Sequence, residues 1–152
     1  MDGALKSLTA EEKEEMYLIP VWVCILMAGA DNKIDLAEIR KSIRIIKEEK
    51  ASLIHAYYKK VAQKFEVNLK GYIALMPKAK EPGVDFLVRK LERVNYFFSI
   101  LDKEIAYQLY LSFRDLANKV AHASGGFFGL LSVSQAESSF IDLKMITDPS
   151  KS

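Results

Sequence analysis

The sequence has few of the residues that build disulfides, thiolate metal sites and histidine-based catalytic sites. It contains one cysteine, Cys24, and two histidines, His55 and His122, which lie far apart in the chain. One thiol excludes an intrachain disulfide framework and a zinc site built on several cysteines. By default, this sparse cysteine usage predicts a reducing, cytoplasmic setting.

Catalytic and nucleotide-binding spacings are also missing. No HExxH, ExxH, GxSxG, GxGxxG or Walker loop is present, and these are the patterns that place zinc or di-iron ligands, a serine nucleophile or a phosphate cradle. Cys24 is embedded in apolar residues, where a thiol keeps its proton. We therefore predict a protein that is not an enzyme and has no cofactor, with a bound divalent cation as the alternative.

The sequence has neither a strong charge bias nor a membrane-length apolar run. Lysine and arginine number 22 against 20 acidic residues, and the hydrophobic share of 50% over 152 residues is typical of one globular domain that covers residues 1–152. The apolar run at residues 16–30 is shorter than the about 17–25 residues of a spanning helix and contains Pro20 and Gly29. We therefore expect a buried helix. The residues that precede the run are acidic, the reverse of the positive start of a secretory signal, so we expect no such signal.

Hydrophobic periodicity predicts an all-α fold. Thr9 and Glu12 have capping-box spacing, so a first helix should run to about residue 30, with a kink or a restart at Pro20. Asp35 and Glu38 repeat this spacing before a second, amphipathic helix, and a break near residues 50–52 separates it from a third. The sequence contains no stretch of period-two alternation, so we predict no strand.

The second half follows the same logic. Residues 65–83 are weakly patterned and predict a loop-rich linker with one or two helical turns. A strong helix should cover residues 84–101, and Asp102 should cap a central helix that is buried on two sides and ends before Gly125. Ser134 and Glu137 predict a last helix that runs through Met145.

The most informative motif is an acidic turn at residues 28–38. Measured against the calcium loop of an EF-hand, Asp31, Asp35 and Glu38 occupy the fifth, ninth and twelfth positions. Met27 and Gly29 fall at the first and third, so a hard cation that prefers about 6–8 oxygens would be under-coordinated and a normal EF-hand is excluded. The carboxylates then either stabilise a turn and cap a helix, or bind a cation or polar ligand with waters completing the shell.

A weaker copy of this motif occupies residues 120–137. Helix, small turn, apolar residue, cap and glutamate recur in the same order, so that Ser134 and Glu137 correspond to Asp35 and Glu38. Ser124 stands where the first copy has an aspartate. The copy also contains an apolar insertion, residues 126–131, which either folds over the protein or docks a partner or membrane.

Residues 30–38 (ADNKIDLAE) and their imperfect repeat resemble the tellurite-resistance TerB-like superfamily, which includes the N-terminal region of certain membrane-linked J-domain co-chaperones. The fingerprint of that superfamily is a hydrophobic helix ending in Ala-Asp-Gly, an Ile-Asp pair, two further residues and a glutamate; Asn32 replaces the glycine here. The resemblance spans about residues 10–147, the core of the domain, and implies a bundle of about seven helices with two pseudo-symmetric halves. It also implies a non-enzymatic interaction module linked to stress response and to protein or metal interaction.

Residues 33–64 are basic, although the chain as a whole is nearly neutral. They contain nine lysines and arginines against four acidic residues, a balance of +5. This stretch predicts either a solvated outer face or a patch, formed by Arg40, Arg44 and Lys47, for an anionic membrane, a nucleic acid or an acidic protein. Only Tyr58 could interleave an aromatic ring with these cations. Partners therefore remain open between an unknown protein, weak anionic membrane or nucleic-acid contact, and a second copy of the chain.

Overall fold

Helices account for most of the residues that the structure describes. The computed structural model describes residues 3–28, 36–49, 52–75, 80–123 and 142–151. In these ranges there is no strand, so the all-α prediction is confirmed, and the helices are α1 (Ala10–Ala28), α2 (Leu36–Glu49), α3 (Ser52–Gln63), α4 (Phe65–Leu75), α5 (Lys80–Glu92), α6 (Val94–Ile100) and α7 (Lys103–Ala123). None of them is long and apolar enough to cross a bilayer. The internal two-fold relation stays a prediction.

Helix α1 begins at the predicted capping box. The Thr9 N–H donates to Glu12 Oε1 at 2.9 Å, and the Glu12 N–H donates to Thr9 Oγ1 at 3.1 Å. The Thr9 backbone hydrogen bond holds the pKa of the Glu12 carboxyl below its usual range. The helix then continues through Pro20 to Ala28, so the restart that we considered at the proline does not occur.

Pro20 leaves a vacant acceptor in the middle of α1, and α3 fills it. Proline has no N–H, so the carbonyl of Met16, four residues earlier, lacks its intrahelical donor. The Tyr57 hydroxyl on α3 donates to that carbonyl. Met16, Pro20 and Tyr57 are all buried, and burial raises the pKa of the Tyr57 hydroxyl, which therefore keeps its proton.

An aromatic cluster surrounds this hydrogen bond. The Tyr57 ring stacks on Tyr17 of α1 at 5.4 Å between centroids, meets Tyr58 edge-on at 5.1 Å and contacts Phe113 of α7 at 6.0 Å. The Tyr58 hydroxyl donates to Ser112 Oγ on α7 at 3.0 Å. Three helices therefore meet at two adjacent tyrosines of α3.

The predicted amphipathic pattern of α2 is confirmed. Its isoleucine stripe is buried, with Ile39 at 2%, Ile43 at 4% and Ile46 at 0% exposure. The predicted break is also confirmed, since α2 ends at Glu49 and α3 begins at Ser52.

The linker prediction for residues 65–83 is wrong at residues 65–75 and 80–83, which are helical, and residues 76–79 lie outside the described ranges. Residues 65–75 form the three turns of α4, because Phe65 and Leu69 are buried and supply tertiary support that local propensity does not show. Tyr72 packs edge-on against Trp22 of α1, with 5.7 Å between ring centroids. Helix α5 then includes Pro82 in its first turn, where a missing N–H costs little because the first helical donors have no intrahelical acceptor.

The predicted helix over residues 84–101 is two helices that meet at Arg93. The guanidinium of Arg93 forms an ion pair with Glu15 of α1, which fixes the junction between α5 and α6 against the first helix. Asp102 caps α7 as predicted, since its Oδ1 accepts the Glu104 N–H at 3.0 Å and the Ile105 N–H at 3.4 Å.

Helix α7 is central and buried on two sides, as predicted. It packs against α1, α2, α3 and α6. Its buried residues form one continuous cluster with those of the other helices, a cluster that includes Leu5 and Ile146. Its own buried apolar positions are Ala106, Leu109, Tyr110, Phe113, Leu116, Ala117, Val120 and Ala121.

The prediction of a helix from Ser134 through Met145 is wrong at residues 142–145, which form turns. Residues 134–141 lie outside the described ranges. Leu143 has a φ of 49°, a left-handed conformation that interrupts a right-handed helix. The Asn95 amide holds this segment, because its Nδ2 donates to the Met145 carbonyl at 2.9 Å and its Oδ1 accepts the Thr147 N–H at 2.7 Å. Leu143 and Ile146 are buried beside it.

We expect the Tyr57 hydroxyl to stabilise the protein through the Met16 carbonyl. Tyr57→Phe should lower the free energy of unfolding by about 1–3 kcal/mol, the usual cost of a buried polar group left without a partner. Urea unfolding followed by circular dichroism measures this change.

Pro20→Ala is the matched background for that measurement. The alanine N–H can donate to the Met16 carbonyl. Tyr57→Phe should therefore lower the free energy of unfolding less in the Pro20→Ala background than in the wild-type protein. An equal loss in both backgrounds would contradict the proposed role of the hydroxyl.

Candidate functional site

The acidic turn falls mainly outside the described residues. Asp31, Asp35, Ser134 and Glu137 are not in the described ranges, and Glu38 lies in α2 but its side chain is not described. The cation site and its second-half counterpart therefore stay predictions. In the part of the chain that the structure describes, no group of three or more His, Cys, Asp or Glu side chains could hold a metal ion.

Two polar contacts show how α2 and α3 lie together. Near their connection, the Nδ1–H of His55 donates to the Lys47 carbonyl at 2.8 Å. At the other end, Arg40 binds Glu66, the second residue of α4, at 3.1 Å. The first contact joins the end of α2 to the start of α3. The second joins the start of α2 to the residues that follow α3. The two helices therefore run antiparallel.

This antiparallel pair carries the predicted cations on its outer surface. The isoleucine stripe of α2 faces the core, so the intervening Arg40 and Arg44 are exposed and Lys47 is half-buried. On α3, Lys59 is exposed between the two contacts that join the helices. We call this set, Arg40, Arg44, Lys47 and Lys59, the basic face.

Arg40 connects the basic face to α4 through a three-residue ion cluster. Glu66 Oε1 lies 3.1 Å from Arg40 Nη2 and 3.3 Å from Lys70 Nζ, and these side chains are 44%, 55% and 63% exposed. Arg40 first, and Lys70 second, hold the pKa of the Glu66 carboxyl below its usual range. Two cations share one anion, so the cluster keeps a net charge of +1 in a well-hydrated position.

Residue types common in catalysis have structural roles in the described residues. A carbonyl only accepts, so His55 Nδ1 carries a proton, and His122 Nδ1 likewise donates to the Asn118 carbonyl at 2.7 Å. Cys24 is buried, as predicted, and burial raises the pKa of its thiol. Tyr58, the one aromatic that could have interleaved with the cations, is buried instead and points to Ser112.

Sequence reasoning missed the outer surface of α4. Val67 and Leu75 are 74% and 78% exposed, and they lie on a helix that we predicted as linker. The helical spacing of Phe65, Leu69 and Tyr72 was the available signal. Gly71 and the flanking Pro77 obscured it, because both residues are typical of loops.

Comparison of the chain with protein-family profiles, with characterised proteins and with solved structures finds no match. The TerB-like resemblance therefore stays a prediction that rests on residues 30–38 and their repeat.

The ion cluster predicts a specific pH dependence. Arg40→Gln should raise the pKa of the Glu66 carboxyl toward its ordinary value, and Lys70→Gln should raise it less, since Arg40 is the larger cause. A pKa lowered by folding means that the carboxylate stabilises the folded state above the ordinary carboxyl pKa. This contribution is lost as the pH falls through the lowered value.

Carbon-detected NMR titration of the Glu66 side chain measures these pKa changes, and urea unfolding between pH 3 and pH 7 measures the linked stability. A pKa of Glu66 that does not change in Arg40→Gln would show that the ion pair is not formed in solution.

The acidic turn is tested by ion titration. If Asp31, Asp35 and Glu38 bind a divalent cation, calcium, zinc or manganese should shift or broaden the amide signals of residues 31–38 at millimolar concentration or below. An Asp31→Asn, Glu38→Gln double variant should lose that response. No change in these amides up to millimolar ion would leave the turn with capping as its role.

Proposed function

We propose that this protein is a non-catalytic interaction module of the TerB-like kind, which binds an anionic partner through the basic face. The antiparallel arrangement of α2 and α3 carries this proposal, because it collects exposed cations from two helices on one surface. A cytoplasmic location belongs to the same proposal and rests on the sparse cysteine usage.

The local charge balance supports binding to an anion. Arg44, Lys59 and the neighbouring Lys41 are exposed, whereas Glu48 is the exposed acidic residue described on the same two helices. Each lysine or arginine near an anionic surface contributes about 1 kcal/mol at moderate salt. A few such residues therefore suffice for weak, salt-sensitive association.

The roles of the histidines, cysteine and buried tyrosines support a module without catalysis. His55 and His122 donate to backbone carbonyls near the ends of α2 and α7. Burial raises the pKa of Cys24, Tyr57 and Tyr58, which disfavours the charged forms that would act as nucleophile or base.

Charge reversal on the basic face tests the proposal. Arg44→Glu combined with Lys59→Glu should weaken binding to heparin, used as a defined polyanion, by at least about tenfold at 50 mM salt. This estimate follows from the contribution of about 1 kcal/mol per cation. The salt dependence of the remaining binding should also be shallower. Fluorescence anisotropy with labelled heparin measures both quantities.

Arg89→Glu combined with Lys144→Glu is the matched control. Both of these residues are exposed, they lie on α5 and in the C-terminal segment, and the change in net charge is the same. An equal loss of binding in the control would mean that total charge, rather than the basic face, determines binding. Circular dichroism should report the same helix content in all three proteins.

A further inference from the structure

The outward surface of α4 is apolar although it faces solvent. Phe65 and Leu69 turn inward and are buried, which leaves the intervening positions on the opposite side of the helix. Val67 and Leu75 are 74% and 78% exposed there, and Gly71 and Ala74 are exposed between them. We call Val67, Gly71, Ala74 and Leu75 the apolar ridge.

The two charged side chains of α4 do not make this ridge polar. Glu66 and Lys70 form an ion pair four residues apart along the edge of the helix, and Glu66 also binds Arg40. Val67 and Leu75 would gain free energy by leaving water, because transfer of exposed apolar surface to an apolar environment is favourable.

Cations lie beside the apolar ridge. Lys64 is exposed immediately before α4, Lys70 is exposed on its edge, and Arg40 of the basic face is held against the start of the helix. Together with Glu66, these residues give three positive charges and one negative charge, a balance of +2. The Arg40–Glu66 ion pair therefore places the basic face beside the start of α4, next to Val67.

We infer that the partner of this surface is an anionic lipid membrane. The apolar ridge enters the boundary between headgroups and acyl chains, while Lys64, Lys70 and the basic face contact the headgroups. This inference rests on the proposed function, since it names the kind of anion that the basic face binds.

The shape and composition of the surface favour lipid over a protein or a nucleic acid. The apolar part of this surface is one helix about 16 Å long that exposes isolated aliphatic side chains, whereas stable protein interfaces depend on clustered aromatic and arginine anchors. A single-stranded nucleic acid would use exposed aromatic rings for stacking, whereas Tyr58 is buried and Tyr72 packs on Trp22. A duplex offers phosphates but no apolar environment for Val67 and Leu75. A lipid surface accepts isolated aliphatic side chains, and flanking lysines extend their charged ends to the headgroups.

Vesicle binding by the full chain tests the inference. We expect sedimentation with vesicles of 70% phosphatidylcholine and 30% phosphatidylserine, and little with phosphatidylcholine alone. The double variant Val67→Ser, Leu75→Ser should lower the partition coefficient to anionic vesicles by about 10- to 100-fold, because two aliphatic side chains no longer enter the interface. Its binding to heparin should not change.

Two further variants complete the experiment. Leu111→Ser removes a 40% exposed apolar side chain from α7, away from the ridge, and should leave vesicle binding unchanged. Ala74→Leu adds apolar area to the ridge and should raise the partition coefficient several-fold. This increase does not depend on how well the serine variant folds.

The outcomes separate the two proposals. If the protein binds heparin but not anionic vesicles, or if the ridge variants leave vesicle binding unchanged, the lipid inference is overturned and the basic-face proposal stands. If it binds neither, both fail. If sedimentation equilibrium shows that the unmodified protein is a dimer and the serine variant a monomer, the ridge is an interface between copies and the lipid inference is wrong.

Discussion

The hydrogen bond from the Tyr57 hydroxyl to the Met16 carbonyl is the interaction on which the rest of the arrangement depends. Pro20 removes a backbone donor in the middle of a buried helix, where water cannot replace it. Tyr57 supplies that donor from α3, and its ring then meets Tyr17, Tyr58 and Phe113. One polar requirement in α1 thus orients α3, whose tyrosine pair also contacts α7, a helix that packs directly on α1 and α2.

The location of α3 determines where the cations of this protein lie. Its C-terminal end brings α4 and Glu66 to Arg40, and its N-terminal end brings His55 to the last turn of α2. Each of these contacts is exposed and weak by itself. The buried sides of the two amphipathic helices hold them together, and the two polar contacts show how the pair is arranged. The basic face is thus a consequence of core packing more than of its own ion pairs.

Helix α4 differs from α2 and α3, since it exposes apolar side chains on its outward side as well as burying them on its inner side. The inner side is satisfied by burial of Phe65 and Leu69 and by the contact between Tyr72 and Trp22. The outer side has Val67 and Leu75 in solvent, next to cations that Glu66 only partly neutralises. An apolar strip flanked by positive charge is chemically matched to an anionic lipid surface, which connects the unusual composition of this helix to the proposed function.

Local patterns in the sequence determined much of the fold: the capping box of α1, the isoleucine stripe of α2 and the two buried sides of α7 are all readable from spacing, because each depends on residues within a few turns. The failures occurred where long-range contacts override local propensity. Tertiary burial makes a helix of residues 65–75 despite Gly71, one apolar pattern is interrupted at Arg93, which pairs with Glu15 of α1, and Asn95 holds residues 145–147 in a non-helical segment. The sequence by itself also determined which residues are cationic and which are acidic. Only the tertiary structure decided which of those charges share a surface and which helix exposes an apolar side, because both depend on packing between residues far apart in the chain.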